Sequence, residues 1–412
     1  MKESKVYRII KAMPKGAVLH IHDIAILGPE YMLNITYMDN LYVCFGKKTK
    51  FLFSNTTPNT TCDIGWQLMS NVRYAAKNIT QFDLEIRKLF TMVVENPDIV
   101  YPTIQETWKR FLKHFRTVYD LLSFRPVFEQ YLYDVLTAFR NDNIMYAELR
   151  AGLNKLYDLN GTLYDKITFS KLYKTIIDKF VKEHPSFYRA KVIYASSRQV
   201  DKQSLVNNIE IAREISKEVP ELIAGFDLIG QEDVKPLIDL AVVLDTIKDL
   251  NFFFHAGETN WFGTRTDENL IDAVLLGAKR IGHAYALTKH PIVMKNVIDK
   301  GIGLEVNLLS NIVLSLVRDV RNHPLSIFLS LDLPVVLSSD DPGVWEAEPL
   351  SDDFYVAFVG VASRSSDIRL LKTLALNSLK YSALDHLNKK NAIRAFYVQW
   401  NNFINNFDCS FY

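Results

Sequence analysis

Short runs of apolar and β-branched residues recur along the chain, bounded by turn-forming positions. They are followed by stretches in which apolar residues return every three or four positions. The runs are Ala17 to His22, Ile144 to Arg150, Ala190 to Ser196, Leu222 to Ile229, Phe252 to His255, Arg280 to His283, Gly303 to Asn307 and Pro334 to Ser339. Helical periods occupy Lys171 to Glu183, Lys202 to Lys217, Asp233 to Leu250, Asp267 to Gly277 and Pro291 to Lys300. Strand alternating with helix predicts a parallel sheet covered by helices. Eight such runs predict an α/β fold of the closed (β/α)8 TIM barrel type. An open doubly wound sheet competes with it, but no G-x-G-x-x-G turn follows the first run.

The first two runs are too far apart for a single helical crossover. Residues 29–96 hold Cys44, Cys62 and the Asn/Thr-rich run Ser54 to Thr61, with few long helical periods, and read as a small loop-rich insertion after the first strand. From Asp98 to Asn141 the pattern turns helical, with Trp108, Phe111 and Phe115 on one stripe and Val127, Tyr131 and Val135 on another. The expected division is a barrel of residues 1–28 and 97–412 interrupted by residues 29–96.

Composition narrows the partner classes. The 412 residues are 48% apolar and 23% charged, which is globular and leaves no room for a disordered or fibrous chain. Forty-eight Lys plus Arg against 47 Asp plus Glu give a formal charge of +1, so no net field draws nucleic acid or anionic lipid. No apolar run approaches the roughly 18 residues of a membrane span. The opening MKESKVYRIIKA lacks the apolar core of an export signal. Three cysteines without a C-x-x-C spacing exclude a zinc ribbon or a dithiol redox site.

Chemistry-bearing residues collect where strands end. His20 and His22, two apart on the first strand, share a face and can close on one metal ion; two polar residues merely ending a strand would look the same. Phe252 to Glu258 is an aromatic run that stops at His255 and places Glu258 one turn of loop farther out, at the mouth where barrel enzymes build their sites. Ser338 to Gly343 holds Asp340 and Asp341, adjacent acids that face opposite ways on an extended segment. An Asp-Pro-Gly turn explains Pro342 and Gly343 but not two acids. Together His20, His22, His255 and Asp340 form a nitrogen-rich set that favours zinc over magnesium or calcium. Such a cation lowers the pKa of water toward roughly 7. His283 ends the sixth run and can orient that water or take its proton. His114, His184, His290, His323 and His386 fall on helices or loops and carry no expected role.

The segments MPKGAVLHIHD, FDLIGQED, HAGETNWFGT, RIGHAYAL and SSDDPGVW resemble, in order and spacing, the adenosine deaminases. More closely, they resemble the secreted branch called adenosine deaminase-related growth factors, from Met13 to about Tyr381. The cytidine-type zinc deaminases carry a different signature, which this chain lacks. The resemblance implies one zinc ion on His20, His22, His255 and Asp340, with Glu258 as proton donor to the purine ring. It implies that His283 orients or deprotonates the attacking water, and that Asp341 bonds to that water and the purine. Gly230 would meet the base through its backbone, and Asp23 the ribose. Trp108, Phe111 and Phe115 match a helix that covers the purine. The implied reaction is hydrolytic deamination of adenosine, and of 2′-deoxyadenosine, to inosine and ammonia.

The same resemblance implies a disulfide between Cys44 and Cys62, worth about 3 kcal/mol through the unfolded chain; two reduced cysteines are the alternative. The Asn-x-Ser/Thr sites at Asn34, Asn55, Asn59, Asn78 and Asn160 cluster in or beside the insertion, which the branch uses toward a cell-surface receptor or glycosaminoglycan. Both features imply a secreted glycoprotein.

Three departures stand out. Only twelve residues precede the Met-Pro-Lys-Gly motif, where the branch carries an export signal and a dimerising helical segment, which puts a dimer in doubt. Ser197 replaces a substrate-facing histidine, and Ala284 replaces a glycine after His283. A catalytically weak or inactive growth-factor-like binding protein on the same fold is therefore the alternative function. Cys409 has no assigned partner.

Overall fold

The computed structural model describes residues 1–407; Cys409 lies outside them. The barrel strands are β1 (Gly16–His22), β2 (Ile144–Ala151), β3 (Arg189–Ser197), β4 (Ile223–Ile229), β5 (His255–Ala256), β6 (Arg280–His283), β7 (Gly303–Val306) and β8 (Val335–Leu337). The first four form one parallel ladder and the last four another. Parallel bridges from Phe226 to Phe252 and from Ile21 to Asp340 join the two ladders at both seams. At the second seam the Asp340 N–H donates to the His20 carbonyl and the His22 N–H donates to the Asp340 carbonyl, each at 3.0 Å. The sheet is thus closed into a barrel, and the open arrangement is excluded.

Two elements differ from expectation. The run Asp233 to Leu250 is not one helix: only a turn at Leu237–Asp239 and a short helix at Ala241–Leu244 form. Leu237, Leu240, Leu244 and Ile247 are buried, so the three-to-four spacing is real. Pro236, however, forbids the helix from starting before it. The fifth strand is short, and its regular register with β6 covers His255 and Ala256. Its aromatic part is bonded on both sides: on β4 the Phe226 N–H donates to the Asn251 carbonyl and the Phe253 N–H to the Phe226 carbonyl, and toward β6 the Phe252 and Phe254 carbonyls accept from the Lys279 and Gly282 N–H groups.

Residues 29–96 carry more regular structure than the sequence suggested. An antiparallel sheet of Leu41–Phe45, Thr49–Phe53 and Gln67–Leu68 is flanked by helices Pro29–Ile35, Met69–Ala75 and Ile79–Arg87. A Cys44–Cys62 disulfide ties the first of these strands to the loop before the third. The sheet rests on the helix Ile104–Leu122 and its exit, with Phe53 stacked on Phe124 at 4.4 Å and the Phe51 N–H donating to Asp120. That helix is thereby held across the barrel mouth.

Candidate active site

Alternation along β1 turns His20 and His22 to the barrel axis while Leu19 and Ile21 pack into the core. The seam bonds fix Asp340 beside them, in a left-handed conformation (φ +58°) that aspartate tolerates better than most residues. His20 Nε2 and His22 Nε2 each lie 3.2 Å from Asp340 Oδ1. With His255 these residues place one ligand atom apiece within 4.8 Å of one another. A Cβ at Gly282 would sit 2.9 Å from the His20 ring, so only glycine on β6 lets that imidazole reach the axis.

What stands behind each imidazole decides which nitrogen is bare. His20 Nδ1 is 2.7 Å from Glu305 Oε2, and His255 Nδ1 is 2.7 Å from Asp227 Oδ2. The surrounding guanidinium groups and histidines hold both carboxyls well below their usual range, even against burial. An ionised carboxylate only accepts, so each ring carries its proton on Nδ1 and turns a lone pair inward from Nε2. His20 Nε2 and Asp340 Oδ1 have no hydrogen-bond partner among the described residues. Lone pairs of nitrogen and oxygen converging in a buried cluster repel unless a cation sits among them, so the donor set fits a metal ion.

Below the cluster the barrel interior is ionic. Arg150 bonds Asp227 at 2.7 Å and Glu305 at 2.6 Å, and Arg280 bonds Glu305 and Glu148, each at 2.6 Å. Two guanidinium groups face three carboxylates in this layer, which leaves one negative charge in excess beneath the cation position. Arg280 also lies over the Phe253 ring at 3.9 Å.

Glu258, His283 and Asp341 complete the mouth. The N–H groups of Gly257 and Glu258 donate to Glu232, which fixes the turn after β5. Burial, reinforced by the charges of Asp340 and Glu232, pushes the Glu258 carboxyl well above the usual range. Burial and the Asp340 charge raise Asp341 likewise. His283 Nε2 lies 3.6 Å from Glu258 Oε1 and 3.7 Å from Asp340 Oδ2.

A cavity of about 390 Å³ opens above these groups, lined by Trp108, Phe111 and Phe115 on one side and by Gly230, Ser197 and Asp341 among others. The three aromatics stand edge to face along their helix, with ring centroids 5.4 and 4.9 Å apart. A second lobe of about 350 Å³ shares His22, Phe115 and Ser197 and adds Asp23, whose carboxyl burial pushes up to about 7. The expected metal and substrate residues other than His20, which lies deeper, border one or other of these two adjoining lobes. The five asparagines expected to carry glycans are all exposed; Asn78 caps the helix Ile79–Arg87 through its side chain.

Sequence reasoning missed the layer behind the site. Asp227 and Glu305 are acids inside otherwise apolar strand runs, a signal that could have marked them. His323, expected to be inert, is buried and bonded to Asn311, which in turn reaches His283. Nothing in its local sequence announced that. Arg198, wholly buried, donates to the carbonyls of Leu228 and His255 behind the mouth.

A parallel eight-stranded barrel whose mouth converges three imidazoles and a carboxylate beside a buried acid is the architecture of a metal-dependent hydrolase. Residues 90–397 match the adenosine deaminase family. Similarity extends over nearly the whole chain. It is 42% identical to an adenosine deaminase of Lutzomyia longipalpis, covering 99% of this chain and 81% of that one. It is 40% identical to adenosine deaminase 2-A of Danio rerio (98% and 82%) and 38% identical to adenosine deaminase 2 of Homo sapiens (98% and 81%). The chain belongs to the adenosine deaminase family, in the branch of the adenosine deaminase-related growth factors. Solved structures share the fold: an adenine deaminase from Arthrobacter aurescens has a TM-score of 0.67 at 17% identity, covering 94% of this chain and 99% of that one. An N6-mAMP deaminase from Arabidopsis has a TM-score of 0.65 at 16% identity, covering 95% and 99%.

Proposed function

We propose that this chain is a zinc-dependent adenosine deaminase that converts adenosine, and 2′-deoxyadenosine, to inosine and ammonia outside the cell. The observation that carries the reading is a buried carboxyl, Glu258, 3.6 Å from His283 and beside the converging side chains of His20, His22, His255 and Asp340. Relatives named adenosine deaminase at about 40% identity support the substrate. His20, His22, His255 and Asp340 would hold the ion; nitrogen donors favour zinc. Zinc, when bound, lowers the pKa of a water molecule so that it can attack at neutral pH.

The protein's own groups do the rest. Trp108, Phe111 and Phe115 cover the purine and exclude bulk water, the Gly230 backbone meets the base, and Asp23 meets the ribose. Ser197 borders the same lobe. Water oxygen bonds to C6, and Glu258 gives its proton to the adjacent ring nitrogen. His283 and Asp341 hold the attacking water in line. Of the two protons of that water, one passes to the amino group, which leaves as ammonia when the C6–N bond breaks and the C6–O bond becomes the carbonyl, and the other restores the acid on Glu258. The Cys44–Cys62 bond supports an oxidising compartment. The exposed asparagines of the sequons support a glycoprotein. Residues 29–96 are taken as an inserted unit because their sheet shares no ladder with the barrel among the described residues.

Loss of the adenosine ultraviolet band with stoichiometric ammonia, and one zinc per chain by metal analysis, are the expected results. Glu258→Gln should keep the zinc and lose turnover. Turnover by fully metal-free protein, or an active Glu258→Gln variant, would sink the proposal.

A further inference from the structure

His283 stands as close to the cluster as the metal-binding imidazoles do, with ring centroids 4.8 Å from His20 and 5.2 Å from His255. Distance alone would let it bind a metal together with Glu258 and Asp340. What lies behind its ring is opposite in kind. Where His20 and His255 have a carboxylate at Nδ1, His283 has the amide nitrogen of Asn311 at 3.2 Å.

The direction of that contact is fixed from its far end. The backbone N–H of Leu325 donates to His323 Nδ1 at 3.0 Å. A backbone N–H cannot accept, so His323 Nδ1 is bare and the ring's proton is on Nε2. His323 Nε2 lies 3.0 Å from Asn311 Oδ1, which accepts that proton and turns the Asn311 NH2 toward His283. An NH2 group only donates, so His283 Nδ1 is bare as well. All three side chains are at most 1% exposed, so solvent offers no substitute partner. Asn311 is held in place by its own backbone: its carbonyl accepts the N–H groups of Leu316 and Val317 at 2.9 and 3.2 Å. The ring of His323 is packed edge to face on Tyr285 at 5.2 Å.

We infer that Asn311 and His323 form a directed hydrogen-bond chain that holds His283 with its proton on Nε2, pointing into the site. The chain separates imidazoles of one pocket into two roles. A carboxylate behind the ring leaves Nε2 as a lone pair for a metal. An amide NH2 behind the ring leaves Nε2 as a donor, aimed between Glu258 Oε1 and Asp340 Oδ2. His283 then orients the attacking water by donating to it and does not take its proton. Asn311 and His323 are positioning residues, acting through His283. The catalytic consequence rests on the deaminase reading; the tautomer does not.

The test is nitrogen NMR on the full chain carrying 15N-histidine, first without metal and then with zinc. Of nine histidines, His283 and His323 are assigned by their disappearance in His283→Asn and His323→Phe. Both rings should show a bare Nδ1 and a protonated Nε2, with or without metal. A proton on Nδ1 of His283 in the parent protein overturns the inference, whether or not the protein deaminates anything. Asn311→Asp replaces the donor by an acceptor of the same shape and should move the His283 proton to Nδ1. With it, kcat should fall about 100-fold while KM changes by less than about threefold. An Asn311→Asp protein whose His283 keeps the parent tautomer, or whose kcat is unchanged after the tautomer moves, also overturns it.

Discussion

Lys15, at the N-terminal end of β1, is wholly buried, yet all its bonds are used. Its Nζ donates to the carbonyls of Lys11, Met13 and Asp142 at 3.2, 3.3 and 2.9 Å, with the Asp142 carboxylate 3.6 Å away. Asp142 is shared with Lys11 and the Ser351 N–H. At the C-terminal mouth, His20 Nε2, His283 Nε2, Asp340 Oδ1 and both oxygens of Asp341 are as deeply buried and have no such partners among the described residues. One barrel thus buries charge twice. Where each donor meets an acceptor the cluster holds the chain together; where bonds are left over and point at one another the cluster awaits a ligand.

The comparison predicts opposite phenotypes at the two ends. Glu258→Gln should cost 10²- to 10⁴-fold or more in kcat and leave the melting temperature and zinc content unchanged. Lys15→Met should do the reverse, lowering stability by about 3 kcal/mol as three carbonyls lose their donor, with kcat per folded molecule unchanged. Its pH dependence is diagnostic. Burial lowers the Lys15 pKa to about 8, against the opposing pull of Asp142. Between about pH 8 and 10.5 the folded chain has released this proton while the unfolded chain keeps it, so stability rises with pH across that window. Denaturant melts of the parent should show that rise, and those of Lys15→Met should lack it. A Lys15→Met protein that melted normally but turned over slowly would show that the two ends are coupled.

The layer between them is the next place to cut. Asp227→Asn removes the acceptor behind His255 and should weaken zinc binding 10- to 100-fold, read by chelator competition. Glu148→Gln is its control. That acid bonds Arg280 and Tyr146 in the same layer and touches no histidine, so it should lower stability without moving the zinc constant. Equal zinc loss in both would mean that the ionic layer acts through packing and not through the tautomer of His255.

The strand runs and the mouth residues were legible because period and chain position carry them: an eight-fold alternation, then histidines and acids at strand ends. The Asp233 to Leu250 helix was misjudged because the same leucine spacing serves a turn at Leu237–Asp239 and a short helix at Ala241–Leu244 as well as one long helix. The Asn311–His323 chain was invisible because its two side chains are ordinary residues that become a wire only when β6 and β7 sit side by side. Asp227 and Glu305 lie between these cases, since an acid inside an apolar strand is visible but its partner is not.

The smallest test concerns backbone and not charge. His283 and Ala284 are both left-handed, at φ +62° and +50°, and the Ala284 N–H donates back to the Gly282 carbonyl at 2.8 Å. That tight turn aims the His283 ring. An L-residue in this region costs roughly 1–2 kcal/mol, so Ala284→Gly relieves strain. The gain is offset by the extra freedom of glycine in the unfolded chain, roughly 0.5–1 kcal/mol, and by the loss of one buried methyl, about 0.8 kcal/mol. These terms nearly cancel, so Ala284→Gly should change stability by less than about 1 kcal/mol. Ala284 borders neither lobe of the cleft, so kcat should stay within about twofold. If kcat instead rose severalfold at unchanged stability, the methyl would be displacing His283 from its donor position, and the turn itself would have to be counted with the mouth of the barrel rather than with its frame.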